Sequence, residues 1–264
     1  MANVSAKDIQ RLRQETGVGM MEAKRALEEC DGDFDAAKKH LREKGLANMA
    51  KRSDRENAQG AVAIGVAGAV AAIAQIKCET DFVAKSPDFV ALVQALADSA
   101  AAEGEDEARA THQDRLDTLK ITLKENLDFG RVVRFDPPSG SVVDTYLHVQ
   151  SGRGVNATMV EMADASQDLA HDIALHIAFA RPQYLTRDEV PADVIAEERA
   201  TLEALTRNEG KPEAAIGKIV EGRVGGYLKE RCLLEQEFAK DNKQTITSLI
   251  GSASITRFAQ VEIG

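Results

Sequence analysis

The side chains of this 264-residue chain with the most chemical potential are three cysteines, five histidines and a set of acids around one of the cysteines. Cys78 lies in the run QIKCETDFVAKSP, with Glu79 beside it and Asp81 three positions on. A thiol becomes a nucleophile when cationic neighbours lower its pKa, and an acidic setting does the reverse. His171 and His176 stand five apart on one helical segment, more than a turn, and no His-x-x-x-His pair occurs. His176, among Ile173, Ala174, Leu175 and Ile177, suits a satisfied core or interface residue better than a ligand. Residues 152–157 (GRGVNA) have a loosened dinucleotide spacing but join two strands, which makes them a hairpin turn. Residues 17–22 (GVGMME) lack the third glycine, and no phosphate loop is present. A thiol or metal-dependent hydrolase built on Cys78 and His148 therefore has little footing. Phe82 is left to explain. Aromatics form only 4% of the chain and Trp is absent, yet this ring sits beside Asp81, just before a helix start at Ser86-Pro87. It either folds back into the core or projects as a wedge toward a partner. The pattern alone favours the interior, where most large aromatics reside.

That segment has to be positioned by what surrounds it. Two β-type runs, 61–66 and 69–76, join at Gly68. A helix over 87–102 carries Phe89, Leu92, Val93 and Leu96 at helical spacing; a charged connection follows, and a strand over 131–135 closes the unit. Residues 142–162 repeat the scheme, with strands over 142–149 and 155–162 around a turn at 151–154, then a helix over 167–180 stopped by Pro182 and a last strand over 255–263. The closing strands resemble each other even in letters, RVVRF and TRFAQVEI. Two β-β-α-β halves predict two antiparallel sheets, each backed by helices. Inserted in the second half, residues 193–207 and 214–234 carry apolar side chains at three-four spacing around a turn at 209–212, an antiparallel helical hairpin.

Ahead of these units the first 45 residues predict three short helices. Ser5 with Asp8 opens the first, placing Ile9 and Leu12 on one face, and Gly17 and Gly19 break it. Residues 20–29 form the second with Ala23, Ala26 and Leu27 inward; the third starts at Asp33, carries Phe34, Ala37 and Leu41, and closes at Gly45. The expected division is an N-terminal helical domain over 1–45, a linker over 46–58, a first core subdomain over 59–140 and a second over 141–264 holding the hairpin at about 190–236.

Composition bounds the function. With 44% hydrophobic and 29% charged residues the chain is an ordinary globular one, and its net charge of −10 argues against general affinity for nucleic acid or anionic membrane. Residues 38–56 are the local exception, with seven bases (Lys38, Lys39, Arg42, Lys44, Lys51, Arg52, Arg55) against three acids (Glu43, Asp54, Glu56). They read as a solvated helix end and linker, or else as a dock for an acidic protein. An odd number of scattered cysteines favours a reducing compartment, and neither a signal-peptide run nor a membrane span is visible; the expected location is cytoplasmic.

The residues gathered so far resemble the elongation factor Ts family. The likeness runs through nearly the whole chain: LRQETGVGMMEAKRAL at 12–27 is similar to its N-terminal signature and CETDFVAK at 78–85 to its second. DIALHIAFARP at 172–182, KIVEGR at 218–223, LLEQEFAKDN at 233–242 and the closing strand extend it. The resemblance implies an α+β fold: a ubiquitin-associated-like three-helix bundle, two related β-β-α-β subdomains with antiparallel sheets, and an inserted antiparallel helical hairpin. It implies a guanine nucleotide exchange factor for elongation factor Tu, with no catalytic chemistry, cofactor or metal of its own and no direct nucleotide, nucleic-acid or membrane binding. Asp81 and Phe82, with Thr80 and Val83, then match the loop that intrudes beside the partner's magnesium site. Leu12, Arg13, Met20 and Met21 match the face that holds the partner's nucleotide-binding domain, one of the two methionines being expected inward and one at the interface, since adjacent helical positions diverge. Glu125 and Asn126 match a second contact near the partner's phosphate loop, and His148 and the Gly152 region belong to the subdomain that meets the partner's third domain. The chain departs from the family pattern in having Gln75 and Lys77 for Glu and Asn, Lys124 for Gly, Gly130 for Arg and Glu237 for Pro, and in lacking an extra C-terminal helix found in some relatives.

Overall fold

The computed structural model describes residues 4–50 and 54–263. Three helices come first: α1 (Ala6–Thr16), α2 (Met20–Glu29) and α3 (Phe34–Ala50). The Ser5 hydroxyl accepts from the Asp8 backbone N–H at 3.1 Å, capping α1, and Gly17 ends it at φ 69°, a left-handed conformation that glycine adopts freely. The three helices close over Leu12, Ala23, Leu27, Ala37 and Leu41. Helix α3 does not stop at Gly45, as its glycine led us to expect, but runs to Ala50. Of the expected linker and its basic run, residues 51–53 lie outside the described residues. Four of the five described bases pair within the chain: Lys38 with Glu15, Lys39 with Glu43, Arg42 with Asp114 and Arg55 with Glu79.

The first half contains β1 (Gln59–Ala67), β2 (Val70–Cys78), α4 (Asp81–Ala84), α5 (Pro87–Glu103), α6 (Glu105–Leu123) and β3 (Asp128–Phe135). Its strands are antiparallel in the order β3-β2-β1. Helix α5 buries Phe89, Leu92 and Leu96 completely against the sheet, each contributing about 1.5–3 kcal/mol relative to exposure. The charged connection expected after α5 is instead α6, a 19-residue helix. Only Ala108, Leu116 and Leu119 face inward on it, so its apolar stripe is too thin to stand out from its charges. Helix α6 carries the N-terminal bundle: a Cβ added at Gly17 would lie 2.7 Å from Thr122, and one at Gly45 2.8 Å from Ile121. Gly45 is thus a point of close approach inside α3.

The second half comprises β4 (Ser141–Gln150), β5 (Arg153–Ala163), α7 (Gln167–Ala180), the long helices α8 (Ala192–Asn208) and α9 (Glu213–Arg231), a small ribbon β6 (Glu237–Phe238) and β7 (Asp241–Thr245), α10 (Ile246–Ile250), and β8 (Ser254–Glu262). Strand β5 lies between β4 and β8, antiparallel to both. The two expected sheets are joined: one bridge, Val62 to Gly154, links β1 to β5 and makes the hydrogen bonding continuous through six strands. The halves then face each other across a shared core of Val62, Ile73, Phe135, Met159, Ala259 and Val261, with helices on the outer faces. Helices α8 and α9 pack along Ile216, Val220, Val224 and Leu228, while a Cβ added at Gly217, Gly222, Gly225 or Gly226 of α9 would meet nothing. Among the described residues no helix is long and apolar enough to cross a membrane.

Candidate functional site

At the end of β2 the chain makes a single short helical turn, α4, and that turn displays Phe82. Thr80 caps it, its hydroxyl facing the Val83 N–H at 3.4 Å, while Ala84 is fully buried and Val83 packs on the first-half core. Anchoring by Val83 and Ala84 leaves Phe82 on the opposite side, 83% exposed, the most exposed large apolar side chain among the described residues. The ring stands in solvent and not in the core that the pattern alone favoured. Beside it the Asp81 carboxylate meets Lys85 Nζ at 2.5 Å. That hydrogen bond holds the Asp81 carboxyl below the usual carboxylate range, so the tip presents a benzyl ring next to an anion.

Glu125 braces the turn from behind. Its Oε2 accepts from the backbone N–H groups of Glu79 and Thr80, both at 3.1 Å, and its Oε1 accepts from the Thr80 hydroxyl at 2.5 Å. Glu79 Oε1 accepts the Asn126 N–H at 2.6 Å, and the Asn126 side-chain amide donates to Arg55 O at 2.8 Å. Asn126 is buried and Glu125 half-buried. Cys78, fully buried below, donates to Thr80 O. Burial, and then the nearby Glu125 carboxylate, push the Cys78 thiol up to about 12, which leaves it protonated and unreactive at neutral pH.

The N-terminal face joins this assembly through Lys124, which ends α6 in a left-handed conformation at φ 61° and places its ammonium 3.4 Å from Glu22 on α2. A left-handed α6 cap is where a glycine fits best, and the lysine here trades that freedom for a contact with α2. Met20 and Met21 are 48% and 62% exposed. Neither points inward, contrary to the expectation of one each way, because Ala23, Ala26 and Leu27 already fill the buried side of α2. Arg13 is exposed as well, whereas Leu12 is fully buried and supports the face from within the bundle.

In the second half His148 is exposed on β4, 3.3 Å from the Tyr146 hydroxyl, and Gly152 forms the tip of the β4–β5 hairpin at φ 80°. Val149 and Phe179 are further exposed apolar side chains of this half; Phe179 ends a helical pattern and offered no signal of its exposure. His176 is buried, with Nδ1 accepting from Ala239 N–H at 3.2 Å and Nε2 thereby donating to Gln236 Oε1 at 2.9 Å. Burial lowers its pKa, and it is a satisfied core histidine. Two departures from the family pattern meet in space. The β2–β3 register breaks between Ala74 and Ile76, and Gln75 Oε1 accepts the Arg131 N–H there at 3.1 Å. A Cβ at Gly130 would lie 2.4 Å from that same Oε1.

Among the described residues no cluster of His, Cys, Asp and Glu could hold a metal ion. What the arrangement offers is a rigid display of one ring and one carboxylate. The family model described as Elongation factor TS matches residues 79–264. Elongation factor Ts of Nocardioides sp. is 43% identical over 282 residues, all of both chains. Elongation factor Ts of Acidothermus cellulolyticus is 41% identical over 280 residues, 100% of this chain and 99% of that protein. That of Kineococcus radiotolerans is 41% identical over 278 residues, again all of both.

Proposed function

The chain belongs to the elongation factor Ts family of translation elongation factors, and from that premise we propose that it binds elongation factor Tu and speeds GDP release by inserting the Asp81–Phe82 tip near the partner's magnesium and phosphates. One observation carries the reading: a phenyl ring 83% in water, held by a capped and braced turn when its neighbours Val83 and Ala84 are packed away. A ring so displayed gains about 1.5–3 kcal/mol when an apolar slot takes it up. Magnesium requires near-ideal octahedral oxygen geometry, so a ring that displaced a loop beside the partner's metal would weaken its hold. Asp81 arrives as an anion and adds repulsion toward the phosphates.

Exposed Arg13, Met20 and Met21 form the face for the partner's nucleotide-binding domain, and His148 with the Gly152 turn meets its third domain. The proposed division into domains over 1–45, 59–140 and 141–264 fits two separate grips around one wedge. Linkage sets the direction: a factor that binds the empty partner more tightly must itself be weakened by nucleotide in the same ratio. The work then needs no bond chemistry in this chain and takes place in the cytoplasm. Stopped-flow release of a fluorescent GDP analogue from elongation factor Tu tests the reading. Phe82→Ala should slow the maximal rate by about ten- to a hundredfold in a chain that still folds; an unchanged rate would remove the wedge. A chain that binds without accelerating release would be a scaffold and not an exchange factor.

A further inference from the structure

Arg153 went unremarked in the sequence because its partners lie more than ninety positions away. The Gly152-Arg153-Gly154 stretch showed only a turn. In space it stands where the two halves touch. Val62 to Gly154 is the one ladder pair between them among the described residues, and a Cβ at Gly154 would lie 2.2 Å from Val62 O. Across this contact the Arg153 guanidinium donates through Nη1 to Gly60 O at 2.6 Å and through Nη2 to Gln59 Oε1 at 3.1 Å. Gln59 and Gly60 pair in turn with Cys78 and Lys77, the last residues of β2 before the tip. The guanidinium is close enough for its charge to favour the ionised forms of both Asp81 and Cys78.

We propose that Arg153 is a positioning residue for exchange: its forked grip on Gln59 and Gly60 ties the second half to the root of the Asp81–Phe82 turn, so that both reach the partner as one unit. This rests on the exchange reading above. A planar guanidinium has two parallel donors for the two acceptors, while a lysine in its place keeps the charge but not the fork. Elsewhere across the junction the described side-chain hydrogen bonds are single ones, Gln75 Nε2 to Glu262 O at 3.4 Å and Arg131 Nη1 to Gln260 O at 3.2 Å, and neither is forked.

The test is a double-mutant cycle in the full chain, read as the maximal rate of GDP-analogue release from elongation factor Tu at saturating factor. Arg153→Lys should lower that rate about tenfold, as small misplacements of a wedge do, with half-saturation changed less than twofold. In the Phe82→Ala background it should lower the rate no further, because Arg153 acts through the ring. Gln59→Ala removes the Nη2 partner without altering Arg153 and should act in the same sense, which keeps the test open if the lysine variant folds poorly. A wild-type rate in both Arg153→Lys and Gln59→Ala, or an equal fold-loss with and without Phe82, overturns the proposal. Failure of the unmodified chain to speed release removes the exchange reading itself, and this inference with it.

Discussion

Glu125 commits both carboxylate oxygens to its own chain, accepting from Glu79 N–H, Thr80 N–H and the Thr80 hydroxyl. Glutamine in its place keeps one acceptor oxygen and turns an NH₂ toward groups that are themselves donors. Glu125→Gln should therefore loosen the Asp81–Phe82 turn by about 1–2 kcal/mol, since hydrogen bonds to a charged acceptor are the stronger kind. Hydrogen exchange should show it as roughly five- to thirtyfold faster exchange at the amides of residues 79–83 and little change in the sheets; equal protection in both chains would deny Glu125 its bracing role. At this scale the sequence could be read only so far. The acidic run around Cys78 pointed away from a nucleophile, but burial and then Glu125, which lies outside that run, are what raise the thiol; His176 pointed correctly to a satisfied interior. Which way Phe82 faces was not legible from pattern, because a ring beside apolar Val83 and Ala84 reads as core until the Thr80 cap rotates it outward. Met20 and Met21 escaped for the matching reason: three buried residues on α2 already supply all the apolar contact its inner side can hold.

Among the elements, the strands announced themselves as apolar β-type runs joined at glycine turns and α5 through three-to-four-residue periodicity, whereas α6 did not. Its 19 residues bury just three apolar side chains, and three acids in the first turn made it look like solvent-exposed connection. Yet α6 is the platform for the N-terminal bundle and, through its last cap, leads directly into Glu125. The β2–β3 pair holds another feature hidden from the sequence. At its bulge the Gln75 side chain replaces a missing ladder acceptor, and it occupies the volume that any residue larger than glycine would need at position 130. Gly130→Ala should cost about 1–3 kcal/mol in the native background, as overpacking does, and less than half of that when Gln75 is already alanine. Urea unfolding of the four chains in the cycle measures the difference; strictly additive losses would mean that the two positions do not share this space.

For the molecule as a whole, the repeat of β-β-α-β units was legible and its assembly was not, since the bridge from Val62 to Gly154 joins residues about ninety apart and the core between the halves gathers residues as distant as Val62 and Val261. Stability of the whole also depends on the His176 link between α7 and the root of the hairpin. Burial lowers the His176 pKa below its ordinary 6.5, so the folded chain keeps it neutral while the unfolded chain takes up a proton as pH falls through 6.5. The unfolded state then binds more protons, and stability is full above that pH and declines below it. Unfolding free energies between pH 7.5 and pH 5, in steps of about half a unit, should fall more steeply for the native chain than for His176→Gln. Parallel curves would show that this ring does not titrate on unfolding. Finally, the four glycines along α9 that face open space each weaken the helix by about 0.5–1 kcal/mol relative to alanine, and the ion pairs lacing it to α8 are solvent-exposed. That arm is consequently the compliant part of the molecule, and its amides should open ahead of those in the strands that aim the wedge.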